Sequence, residues 1–400
     1  MSRSSSARGG AGSGVELLHR LVGGDGGAAL DALLDGFERR HPDVSLGDVT
    51  DENLSLEVKS RILKENPPDV WIEWPGKNLK PYDDAGVLGD VSAVWESGTM
   101  ERNYLEGPKE AARFEGTYRA VPINIHRINN LFYNVSQAEA VGVDPASLDS
   151  PRALAEEIDR IGEETERLGM LFPMKNPWTV LQMWETVLLG EHGLDTYVGV
   201  TDESASAHRR AIADALDIVK RYGEAAPEDR LYTSLTDANA RFTRGESVFF
   251  HQGDWAAGEY ADADGFGYRD DWDHVPFPGT DGLYAMNMDS VVSAAETDNP
   301  EAVSTFLGYV GSADGQKRFN QRKGSIPPRT DVDTNAFTPF LQDQQTAFQR
   351  SQAQPLSITH GLGVRPAQLI ELKTAMSTFV STWDVEAVAD DVVAAFDTRA

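Results

Sequence analysis

Tryptophan, aspartate, asparagine, lysine and histidine recur where this sequence turns. Trp255 follows Gly253 and Asp254 in SVFFHQGDWAAGEY (247–260), where a strand-like run ends and small residues resume as a helix start. Trp74 stands between VWIE and Pro75-Gly76, Trp178 in NPWT and Asn124 in VPINIHR. Asp289 lies in NMDS, Lys323 in RKGSIPPR and His360 in THGLG. An indole presents a flat apolar face, and the C–H face of a sugar ring lies well on it. Carboxylate, amide, ammonium and imidazole groups satisfy the ring's hydroxyls. The set has no nucleophile–base pair, so the chemistry it suits is binding of a polyhydroxylated ligand. Each residue also has a plain structural role: Trp74 and Trp178 as core, Asn124 as a turn former, Lys323 as a helix-end charge, His360 as a loop residue. Trp255 is the strongest candidate, because the Gly-Asp turn denies it a regular core position.

Familiar catalytic and nucleotide signatures are missing. RKGS (322–325) has the Lys and Ser of a phosphate loop without its glycines, and there is no G-x-S-x-G or H-E-x-x-H. DVDTNAFTPFLQ (331–342) begins like a calcium loop, but Ala336 stands where the turn needs Gly and Gln342 where a bidentate Glu should close the shell. No cofactor and no metal is expected. With 64 acidic residues, carboxylate pairs at glycosidase spacing arise by chance, so a carbohydrate-active hydrolase stays open as the alternative.

Composition narrows the partners. The 400 residues carry a formal charge of −28, a surface that repels nucleic acid and anionic lipid and suits a high-salt, halophilic setting. There is no cysteine, hence no disulfide, thiolate chemistry or lipid-anchored cysteine in the chain as given. No apolar run has the length of a membrane span, so no direct membrane insertion is expected. The opening MSRSSSARGGAGSG reads as a disordered tether or scar over residues 1–14.

The elements that must position the turn residues follow from periodicity. VELLHRLV (15–22) reads as a strand. AALDALLDGFERRHP reads as a helix with Leu30, Leu33, Leu34 and Phe37 on one face. VSLGDVT, LSLEVKSRILKE and PDVWIEW continue the alternation as strand, helix and strand, which predicts βαβ units and a parallel sheet. Helices are expected near 98–113, 150–168, 178–190, 206–223, 235–244 and 299–310, with a mostly helical tail. The fold class is α/β, and ligands of such sheets gather beyond the strand carboxyl ends.

Five stretches in one order, YRAVPINIHRINNLFYN, NPWTVLQMWETVLLG, SVFFHQGDWAAGEY, FNQRKGSIPPR and SITHGLGVRP, resemble the glucose/mannose-type extracellular solute-binding proteins of ABC sugar importers over about residues 15–395. The resemblance implies a two-lobe periplasmic-binding-protein-like fold with the ligand cleft between lobes. It implies an N-terminal lobe of 15–125 plus about 280–330 and a C-terminal lobe of 126–279 plus about 331–400. Function would be non-catalytic capture of a hexose or short oligosaccharide outside the cytoplasm, at the cell surface or in a periplasm-equivalent space. The partners would be the sugar and the ABC permease subunits, the receptor being a monomer; a sugar-sensing ectodomain would share the same features. Carried over by position, Trp255 is the stacking platform, Asp289, Lys323 and His360 bind hydroxyls, and Asn124 adds a contact, with Trp178 and Trp74 as further candidates. One wall departs from the family: Leu21, Val22 and Gly26 replace two tryptophans and an acid after the first strand. Ile72 and Trp74 stand near the third strand in place of Gln and His, and Leu235 replaces an aromatic.

Overall fold

The computed structural model of the protein describes residues 14–22, 24–261 and 263–398. The tether expected over 1–14 therefore lies, except for Gly14, outside the described residues. Two sheets organise the chain. The first has the order Ser45–Thr50, Gly14–His19, Val70–Glu73, Ser290–Ser293, Ala120–Pro122. Its first three strands run parallel and are joined by helices Gly24–Arg40 and Leu54–Leu63, the expected βαβ alternation. The purely parallel expectation fails at Ser290–Ser293, which returns from far along the chain and pairs antiparallel with both neighbours. On the first helix Leu30, Leu33, Leu34 and Phe37 are all buried, as their spacing predicts. Phe37 meets Phe306 edge-on at 5.1 Å, fixing that helix against Pro300–Val310.

The second sheet has the order Trp272–Pro276, Asn130–Asn134, Ser247–Gln252, Leu168–Leu171. Helices Pro151–Glu164, Pro177–Val198, Arg209–Ala225, Pro366–Thr382 and Val385–Asp397 contribute the large apolar cluster on one side, around Trp184 and Leu216. Leu235–Thr243 and Pro339–Arg350 contribute a smaller cluster around Phe132, Phe250 and Tyr260. Ser150 caps the first of these helices by accepting from the Ala153 N–H, with Pro151 in the first turn, which is why it starts there. The helix expected over 98–113 is instead two short ones, Met100–Asn103 and Glu106–Ala111, with extended Tyr104 and Leu105 between them and Pro108 in the second.

The chain passes between the two cores three times. Ile123 lies in the first core and Ile128 in the second; Ala285 lies in the second and Val291 in the first. The last passage runs from Phe319 in the first core to Phe337 beside the second sheet. The passages are stitched together where His126–Arg127 pairs antiparallel with Met286–Asn287 and Ile125 exchanges two backbone hydrogen bonds with Ile326. Buried Ile125, Met286, Met288, Ile326 and Leu362 form a small separate core there. Two sheet-based lobes joined by three crossing segments form the frame in which the turn residues sit. Among the described residues no helix is long and apolar enough to cross a membrane.

Candidate functional site

Sheet direction explains which turns meet. Gly14–His19, Val70–Glu73 and Ala120–Pro122 all point their carboxyl ends at one edge of the first sheet, and antiparallel Ser290–Ser293 begins there. Arg20, Glu73, Trp74, Asn124 and Asp289 therefore emerge together. In the second sheet Ser247–Gln252 and Leu168–Leu171 run parallel, so their carboxyl ends deliver Trp255 directly and Trp178 a few residues later. His360 arrives on the loop before Pro366–Thr382.

Three indoles surround one imidazole. The His360 ring centroid is 5.3 Å from Trp255, 5.8 Å from Trp74 and 6.2 Å from Trp178, all at steep interplanar angles of 67°, 86° and 60°. All three tryptophans are half-buried. His360 is buried, accepts or donates at Nδ1 with the Ser357 hydroxyl at 2.9 Å, and is held well below the ordinary histidine range by burial and by the charges of Lys373, His126 and Arg20. Its other ring nitrogen has no hydrogen-bond partner among the described residues.

The GDW turn has a separate role for each residue. The Trp255 ring lies so close over Gly253 that a Cβ there would stand 2.3 Å from its Cη2, so only glycine fits. Asp254 is fully buried and makes the turn a hinge clamp. Its carboxylate holds the His126 ring at 2.5 Å and accepts the Arg127 N–H at 3.0 Å, while its own N–H donates to the Arg127 carbonyl at 2.9 Å. Trp255 is thus fixed against a crossing segment, and its ring meets His126 at 5.4 Å.

Across from the indoles, Asp289 and Asn124 form a reciprocal pair. The Asn124 amide nitrogen donates to Asp289 Oδ2 at 2.8 Å, and its amide oxygen accepts the Asp289 N–H at 2.6 Å. Asn124 is fully buried, so it orients the carboxylate, whose second oxygen has no hydrogen-bond partner among the described residues. Lys323 ends helix Ala313–Lys323, closed by Gly324 in the left-handed region at φ 69°, and its ammonium donates to Asp25 at 2.8 Å. The acid absent at Gly26 is thus supplied one residue earlier, in the first turn of Gly24–Arg40.

Four further residues were not singled out from sequence. Glu73 is buried at the end of its strand; burial raises its pKa and the Arg20 charge opposes that rise. An acid closing the apolar run VWIE was the available signal. The Arg20 guanidinium stacks 4.3 Å over Trp74. Lys373, on Pro366–Thr382, has its pKa lowered by burial and by Arg20. Glu185, from the same helix as Trp178, accepts from the Ser357 hydroxyl, the Ile358 and Thr359 N–H groups and the Tyr197 hydroxyl, and so fixes the His360 loop. Burial pushes its pKa up to about 7.

The altered positions divide. Ile72 is buried in the first core, Leu21 packs against that core, Val22 is exposed and Leu235 packs beside Phe242 and Tyr260. In the calcium-like stretch Asp331 is engaged by Arg329 and Asn103, and Asp333 by Lys317. A cavity of about 490 Å³ bounded by Gly76, Glu110, Met286, Leu356 and Leu362 contains none of the indoles, Asp289 or His360. Its lining comes instead from the hinge region around Met286 and Leu362, and the convergence of side chains is the better guide to the site.

Two lobes on crossing segments, with aromatic and polar side chains at their strand ends, are the arrangement of a two-lobe solute-binding fold. The chain belongs to the bacterial extracellular solute-binding protein family, whose model matches residues 36–348. It is 36% identical over 95% of its length to the xylose/arabinose-binding protein XacG of Haloferax volcanii, covering 84% of that protein. It is 29% identical over 95% of its length to an uncharacterized ABC transporter extracellular-binding protein of Pyrococcus horikoshii, covering 86% of it. Among solved structures, the solute receptor AcbH, described as exclusive for β-D-galactopyranose, superposes with a TM-score of 0.82 at 17% identity, over 96% of this chain and 98% of that one. A chitin oligosaccharide binding protein superposes with a TM-score of 0.83 at 15% identity, over 97% and 99%. At such identities these two establish the shared fold alone.

Proposed function

We propose that this protein captures a sugar between its lobes and delivers it to the permease of an ABC importer without chemical change. The observation that carries the reading is the meeting of Trp255 and Trp178 of the second lobe and Trp74 of the first around His360, with Asp289 and Lys323 also on the first-lobe side. Indole faces remove the apolar side of a sugar ring from water, while Asp289 accepts and His360 and Lys323 satisfy its hydroxyls. Because the walls belong to different lobes, a sugar touching both favours the closed arrangement, and closure is what a permease can sense. The names of the relatives, sugar receptors among them, support this class of ligand.

Calorimetric titration with pentoses, hexoses and disaccharides tests the reading. Saturable binding of one sugar class, with a melting temperature that rises with ligand concentration, is the expected result. No heat and no thermal shift with any sugar would overturn it. Release of product from an aryl glycoside, abolished by Glu73→Gln or Asp289→Asn, would replace it with the hydrolase reading.

A further inference from the structure

Arg20 and Trp74 leave the carboxyl ends of two neighbouring parallel strands, Gly14–His19 and Val70–Glu73. The guanidinium carbon of Arg20 lies over the Trp74 ring, 4.3 Å from its centroid, within cation–π range, so that face of the indole is covered. The remaining sides of Trp74 are engaged too. Its ring stands at 86° to His360, a Cβ on Gly361 would lie 3.4 Å from its Cε3, and it packs on apolar residues of the second and hinge cores. Trp255 and Trp178 have no such cation over them among the described residues. The neighbouring charges act on the same guanidinium: Glu73 attracts it and Lys373 repels it. Among the described residues no protein acceptor takes a hydrogen bond from Arg20, so stacking fixes its plane while its N–H edge stays available. A guanidinium held this way binds adjacent oxygens in its own plane.

We infer that Arg20 sets the length of the ligand: stacked on Trp74, it turns a second sugar platform into a closed end, so the cleft holds one pentose or hexose ring. This deepens the sugar-receptor reading and rests on it. The ring stacks on Trp255, and the Arg20 edge donates to its hydroxyls. Arg20 is thereby a specificity-determining residue, acting by exclusion as well as attraction.

The test is calorimetry of the intact protein, Arg20→Ala and Arg20→Gln with glucose, galactose, xylose and arabinose against maltose, cellobiose and xylobiose. The wild type should prefer the single ring over the matching disaccharide by at least tenfold. Both variants should lose threefold or more in monosaccharide affinity, yet narrow that preference about tenfold because Trp74 is uncovered. If Arg20→Ala loses its cooperative melting transition, the Arg20→Gln ratio decides, since glutamine keeps a polar chain without the broad cationic plane. A wild type that binds disaccharides as tightly as monosaccharides, or folded variants with an unchanged preference, would overturn the assignment while leaving the sugar reading intact. A wild type answering to no sugar of either length would overturn both.

Discussion

The two walls of the cleft are built from different materials. The wall of the second lobe is aromatic: Trp255, Trp178 and His360, with buried Asp254 behind the Trp255 turn and Glu185 behind the His360 loop. The wall of the first lobe is ionic and polar: Arg20, Glu73, Asp289 with Asn124, and Lys323 with Asp25. Stacking is tolerant, because every sugar has an apolar face, whereas paired donors and acceptors punish a misplaced hydroxyl by leaving a buried group unsatisfied. On the proposed sugar-receptor reading, affinity would come mainly from the second lobe and discrimination mainly from the first. The same reading separates residues that touch ligand from residues that hold them, since Asp254 and Glu185 are buried clamps behind the aromatic wall.

Breaking a clamp should do the most damage. Asp254→Ala leaves His126 and the Arg127 N–H without their buried acceptor, a loss of about 3–5 kcal/mol in unfolding free energy by the scale of broken buried pairs. Chemical denaturation reads it, and a change under about 1 kcal/mol would show that the turn does not anchor the crossing segment. Removing the platform itself is a binding effect. Trp255→Ala should weaken sugar binding by about 1–3 kcal/mol with a smaller effect on stability, because the ring is half exposed. Asp289→Asn should instead alter the ranking of sugars that differ in one hydroxyl. If Trp255→Ala reorders the sugars and Asp289→Asn lowers all affinities equally, the division of labour between the walls is reversed.

The sequence disclosed the aromatic wall better than the ionic one, for a physical reason. A tryptophan after a Gly-Asp turn is conspicuous because apolar bulk at a turn demands an explanation, and the structure sets Trp255 against His360, Asn124 against Asp289 and Lys323 against Asp25. Charged residues in a chain of 64 acids and 36 bases carry no such contrast. Glu73 and Arg20 acquire meaning only from the register that sets strand Gly14–His19 beside Val70–Glu73 and aligns Ser290 with Glu73. The antiparallel return of Ser290–Ser293 was illegible for the same reason: nonlocal pairing is not written in local periodicity. Asp254 was readable as a turn former but not as a clamp, because its partner His126 lies 128 residues away.

The clamp behind His360 gives the comparison a pH dependence. Burial pushes the Glu185 pKa up to about 7 from the ordinary carboxylate value near 4.5, so between those values the folded state keeps a proton that the unfolded chain has released. Its contribution to stability is full below pH 4.5, falls as pH rises toward 7, and is constant above. The melting temperature of the wild type should therefore fall more steeply from pH 5 to 7.5 than that of Glu185→Gln, whose side chain does not titrate. Equal slopes in the two proteins would mean that Glu185 titrates normally.

The smallest expected effect lies outside both walls. Lys77 donates to the Thr201 carbonyl at 2.8 Å and to Asp202 at 2.6 Å. Leu79 belongs to the first core and Val200 to the second, so this ion pair bridges the lobes without contributing to the ring of indoles. Its side chains are 39% and 54% exposed, which limits it to about 0–1 kcal/mol. If it stabilises the closed arrangement, Lys77→Ala should weaken sugar binding about two- to fivefold, by shifting the open–closed balance and leaving the order of sugar preference unchanged. The difference should shrink as salt approaches 1 M, where the Debye length falls to about 3 Å. Retention of the full difference at high salt would assign the effect to the Lys77 side-chain hydrogen bond with the Thr201 carbonyl rather than to the charge pair.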